Sequence, residues 1–257
     1  MANPVLNINR FNRDAQYAEM MLLSGGESAT VNGTLQITGV LALFMLASAA
    51  YVWMKYTAGN TALALQLTGI GAIVGLVLGF IIAFTGLSSQ LSNAKYLMPF
   101  YAICQGLFLG GISAEFETAY PGIVSMAITG TFAALFSMLL LYTNRVIRYS
   151  NTLAKVLFIS TLSVLCIYLV NFIGSFFGLS VPVINSASPA GIIFSIIVVV
   201  IAALNLVVDF HFIESAAERN FPKVYEWYGA FGLLVTIIWL YVEILKLLAK
   251  IQGNRRG

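Results

Sequence analysis

The sequence predicts an all-α integral membrane protein, a bundle of seven transmembrane helices, and three observations carry the prediction. Apolar residues make up 60% of the chain and charged ones 9%, with a mean hydropathy of +0.90, proportions foreign to a soluble domain. Runs of about 20 apolar residues, enough for a helix to cross roughly 30 Å of hydrocarbon, recur from residue 35 onward. These runs are continuous, whereas the strands of a membrane β-barrel alternate apolar and polar residues in short segments.

The elements follow in order. Residues 1–35 form a polar N-terminal segment with "NRFNRDAQ" and a flexible "SGGES", and lack the short apolar core and small-residue cleavage site of a secretory signal, so the first span is expected to be a retained anchor. Spans are expected at about 36–56, 64–84, 97–114, 122–143, 154–177, 190–210 and 228–248, each bounded by polar or turn-forming residues. They make one membrane domain over 36–250, followed by a basic tail at 251–257. No internal repeat suggests an inverted-repeat transporter. Gly71, Gly75 and Gly79 in the second span, and Gly106 with Gly110 in the third, are spaced to let helix backbones approach closely. Cys104 and Cys166 fall inside spans without metal-ligand spacing, as packing residues do.

Positive charge sets the orientation. With the amino terminus cytoplasmic, Arg10, Arg13, Lys95, Arg145, Arg148, Lys155, Arg219 and Lys223 all lie inside, eight of the thirteen basic residues. The tail, with Lys246, Lys250, Arg255 and Arg256, breaks the rule after a seventh crossing. The net charge of +3 is spread over loops and gathers into no stripe that would bind nucleic acid.

Two carboxylates stand out against this apolar background: Asp209 in "LNLVVDFHFIE" and Glu243 in "WLYVEILKLL". An ionised side chain inside a bilayer is costly and normally faces a partner or water. Asn205 lies one turn before Asp209 and Thr236 two turns before Glu243, giving each acid a polar companion on its own face. If the two acids meet, they share a proton at one of them and respond to pH. They also offer oxygens to a hard cation such as calcium, too few for a full coordination shell but enough for a transient stop. The residues leave a plainer reading open, with Glu243 paired to Lys246 three residues on and Asp209 as an interfacial acid. His211, the one histidine, is placed to tune Asp209 or to sit idly at the interface. Glu115 and Glu117 lie at the expected outer mouth, as cation attractors or as an ordinary solvated loop.

Other chemistries fit poorly. An intramembrane aspartyl protease needs two buried aspartates, and only Asp209 is one. A serine protease of the membrane needs a base facing its nucleophile deep in the bundle; "GGIS" offers Ser113, but His211 is the sole base and stands at a helix end. A retinal protein needs a lysine in the middle of its seventh span, whereas Lys246 and Lys250 come in the last turns. No cofactor is expected.

The chain resembles the prokaryotic branch of the Bax inhibitor-1-like family of seven-span membrane proteins. The likeness extends over nearly the whole sequence, including "NPVLN", "YAICQGLFLGGIS", "YPGIVSMAITGT", "VDFHFIE" and "EWYGAFGLLVTIIWLYVEILKLL". Asp209 and Glu243 occupy the places of the family's acid in the sixth helix and of the aspartate of "LYLD" in the seventh. The resemblance implies a pH-sensitive calcium leak in the cell membrane with these two acids as its latch. Glutamate in place of aspartate at 243 adds a methylene of reach. The stretch "ESAAERNFPKVYEW" lengthens the separation, so straight antiparallel helices would put the acids at different depths. Two other functions stay open: a non-conducting regulator that binds a membrane protease or other membrane complex, through the tail and residues 214–226, and a proton-coupled transporter of small solutes.

Overall fold

A computed structural model describes residues 27–85, 94–178 and 186–256. The seven described helices are α1 (Val31–Thr57), α2 (Thr61–Thr85), α3 (Ala94–Ala119), α4 (Ile123–Thr143), α5 (Asn151–Phe176), α6 (Pro189–Glu218) and α7 (Val224–Arg256). Each is long and apolar enough to cross a membrane, and the chain is an all-α integral membrane protein. Among the described residues there is no strand, only an isolated bridge between Ser28 and Pro222. Arg10, Arg13, "NPVLN" and the side chains of Lys95, Arg255 and Arg256 lie outside the description.

The helix ends are built by local chemistry. Thr30 caps α1, its hydroxyl accepting the Gly33 N–H at 2.9 Å, and Ser150 caps α5 by accepting from Leu153 at 3.0 Å. Pro189, whose missing N–H costs nothing at a first helical position, opens α6, where Ser188 accepts from Gly191 at 3.2 Å. The sequence pattern ended the sixth span near 210, yet α6 runs to Glu218 because "HFIESAAE" contains no helix breaker. Asn220, at φ +51°, closes the turn, a left-handed conformation that asparagine tolerates better than most residues.

The chain divides into two compact units. One comprises residues 1–114 and 212–234, the other 115–211 and 235–257. In the first, α1, α2 and α3 approach backbone to backbone. A Cβ at Gly110 would collide with the Ala49 main chain, and one at Gly71 would lie 2.5 Å from the Cys104 carbonyl oxygen. These glycines make the close approach possible. Ser48 joins the same packing, donating its hydroxyl to Ile103 O of α3 at 3.0 Å. In the second unit α5 exposes Leu162, Leu165, Leu169, Val170 and Phe172, a face suited to lipid. Cys166 is exposed and Cys104 buried, both as free thiols.

Candidate functional site

The second unit brings together most of the chemistry-bearing residues. Asn205, on α6, donates its amide to Ile201 O at 2.8 Å and to the Thr161 hydroxyl of α5 at 3.1 Å, tying two helices one turn below Asp209. The Asp209 residue is half-buried, but its Oδ2 is wholly covered and has no hydrogen-bond partner among the described residues. Thr236 of α7 faces the same carboxyl with its hydroxyl. Thr236 is itself buried. A buried polar atom left unsatisfied costs about 1–3 kcal/mol, more for a charged group.

Glu243 is held differently. Only 1% of it is exposed, and each carboxyl oxygen has a donor: the Tyr168 phenol of α5 reaches Oε2 at 2.8 Å and Lys246 Nζ reaches Oε1 at 3.2 Å. The Lys246 ammonium also lies 4.4 Å from the centre of the Tyr168 ring, within cation–π range. The lysine side chain stays 38% exposed, its long stem lying along apolar surface. One turn further along, Lys250 donates to Gly191 O at 3.1 Å and to the Ser195 hydroxyl at 2.8 Å. Glu243, Lys246 and Lys250 thus form a charged ladder on one face of α7.

The expected contact between the two acids is absent as a hydrogen bond. Asp209 meets α7 at Thr236, and Glu243 lies seven residues further along the helix, about 10 Å away along its axis. Two charged carboxylates repel at low dielectric, and here each takes donors at its own level. Residues 214–226, expected as a charge-rich connection, are mostly helix, and the turn proper spans 219–223.

Among the flanking residues, His211 stacks on Tyr149 of the loop between α4 and α5, with ring centres 3.8 Å apart and planes 14° from parallel. Glu115 is exposed. Glu117 accepts the Gly122 N–H at 2.6 Å and the Val124 N–H at 3.0 Å, so both its oxygens cap α4, which starts without a side-chain cap of its own. Among the described residues no three His, Cys, Asp or Glu side chains cluster as a metal site.

A sequence profile described as Bax inhibitor 1 like matches residues 3–253. The chain belongs to that family. A comparison with curated proteins finds no match. In this Bax inhibitor-like chain the site contains residues that sequence reasoning passed over: Tyr168, Thr161, Ser195 and the inward-reaching Lys250. Tyr168 carried a readable signal, because a phenol inside a span needs a partner for its hydroxyl. That Glu243, 75 residues away, would be that partner was not readable.

Proposed function

We propose that this protein is a pH-responsive cation leak, with calcium as permeant, in which Asp209 and Glu243 are two successive stations for the ion and not one touching pair. The observation that carries the reading is the covered Asp209 Oδ2, which has no hydrogen-bond partner among the described residues. A carboxyl in that position is a natural exchange point: protonated, it is neutral and presents nothing to a cation, while deprotonated it supplies a negative charge that a passing ion neutralises. Thr236 orients it.

Glu243 is the closed station. Lys246 occupies the place of a cation at Oε1 while Tyr168 fixes Oε2. An arriving calcium ion competes with the ammonium, whose flexible stem lets it swing toward the headgroups. Glu115, exposed near the end of α3, adds local negative charge that draws cations. We assign His211 the lesser part of holding α6 against the α4–α5 loop through its stack on Tyr149. The membrane assigned to this activity is the prokaryotic cell membrane, with the amino terminus cytoplasmic.

Purified protein in liposomes loaded with a calcium dye tests the reading. Flux that depends on pH in the unmodified chain, and that falls and loses its pH dependence in Asp209→Asn, is expected. No flux at any pH contradicts it and favours the non-conducting regulator. Conduction that Asp209→Asn leaves untouched also contradicts it, and alkalinisation driven by an added solute would point to proton-coupled transport.

A further inference from the structure

Residues 27–30, just ahead of α1, run antiparallel to residues 221–223, the turn between α6 and α7. Ala29 donates its N–H to Phe221 O at 2.6 Å and Lys223 donates to Glu27 O at 3.0 Å, on either side of the Ser28–Pro222 bridge. The outer edge is an ion pair between Glu27 and Lys223, both exposed. Beneath lies a small apolar cluster of Ala29, Ala216 and Tyr225, against which Phe221 and Val224 pack.

The inner edge is Glu226, a carboxylate 2% exposed. Its Oε1 accepts both the N–H and the hydroxyl of Thr30, each at 2.9 Å. Glu226 sits in the first turn of α7 while Thr30 caps α1, so one negative charge serves two helix N-termini, where both dipoles favour it. Gly33 is part of the fit, since a Cβ there would overlap the Glu226 carboxyl group.

We infer that residues 27–30 are a strap that fixes the α6–α7 turn, that Glu226 is the positioning residue which clamps it, and that its release frees the two helices bearing Asp209 and Glu243 to move. Only the consequence for conduction rests on the function proposed above. The clamp is directional and its carboxylate is buried, although Thr30 itself is exposed, whereas both members of the Glu27–Lys223 pair are exposed and the pair is weakened by salt. Glu27 is faced by Lys223, and Lys223 by Glu27 and, more weakly, Glu226.

Amide hydrogen exchange on the full chain in nanodiscs tests the strap, because exchange reports local opening. In Glu226→Gln, exchange should quicken on the order of tenfold at Ala29 and Thr30 and, with them, at Asn220 and Phe221 of the turn. Faster exchange in the strap with an unchanged turn would overturn the inference. A second arm uses Glu27→Cys with Lys223→Cys in a chain whose Cys104 and Cys166 are replaced by alanine. Oxidation should slow exchange at Asn220 and Phe221 and reduction should restore it, while no slowing overturns the strap. In calcium-loaded liposomes Glu226→Gln should raise flux several-fold and the oxidised cysteine pair lower it. A conducting chain whose flux ignores both changes refutes the link to conduction. A chain that never conducts counts against the proposed leak, and the exchange result still decides the strap.

Discussion

Glu226 and Asp209 are two acids covered inside helices of the same membrane protein, and they are treated in opposite ways. Glu226 is given a backbone N–H, a hydroxyl, two helix N-termini and a glycine that makes room for it. Asp209 is given one threonine and keeps Oδ2 unpartnered among the described residues. The contrast separates an acid that builds the fold from one that the fold tolerates. A satisfied carboxylate is worth its burial as structure, whereas a half-satisfied one is a standing cost that chemistry or transport can use.

The largest effect that would sharpen this contrast is on stability. Glu226→Ala removes the acceptor for two groups of Thr30, and we expect it to lower the unfolding free energy by about 2–4 kcal/mol in detergent titrations. Gly33→Ala should cost about 1–3 kcal/mol by overpacking the same clamp. Tyr168→Phe should cost about 1.5–3 kcal/mol, the range for a hydrogen bond to a charged group. Asp209→Asn should be neutral or slightly stabilising in the same titration. A loss as large as that of Glu226→Ala would erase the distinction between the two acids.

The smallest effect concerns the Glu27–Lys223 pair. Lys223, by hydrogen bond and charge, holds the Glu27 carboxyl below the usual carboxylate range, and Glu27 raises Lys223 above the usual lysine range. For Glu27 the sign is that of a depressed acid: its contribution is present above the unfolded value and disappears as pH falls through the folded one. For Lys223 it is present below the ordinary lysine value and disappears as pH rises through the raised one. The pair is therefore intact across neutral pH, and Lys223→Gln should leave stability unchanged within error, since exposed pairs are worth little. Strap exchange that becomes strongly acid-sensitive only in that variant would contradict this assignment.

Much of the fold was legible because lipid imposes a simple length rule, and the seven apolar runs obey it. The helix ends were less so. The last turns of α6, over residues 211–218, are polar enough to read as a connection, yet they contain no helix breaker and Ala216 packs against Ala29 of the strap, so they stay helical. The glycine faces were readable from spacing, since Gly71 and Gly110 meet neighbouring main chains. The acids were readable as rare residues in spans, and the pairing of Glu243 with Lys246 followed from a spacing of three residues on one helix. Partners on other helices were not: Tyr168 is an ordinary residue until the topology sets it beside Glu243, and Thr236, expected as a companion of Glu243, faces Asp209 instead. Glu117 shows the same limit: its place near a loop suggested a cation mouth, while its oxygens face the N–H groups opening α4.

The measurement that bears most directly on the account is calcium flux across liposomes at a series of pH values, compared between the unmodified chain and Asp209→Asn with stability measured on the same preparations. With Asp209 as the exchange point, pH-dependent flux is expected in the first, a drop on the order of tenfold (about 1.4 kcal/mol) with a flattened pH profile in the second, and no loss of stability between them. Equal flux in both, or a loss of flux that merely follows unfolding, would contradict it.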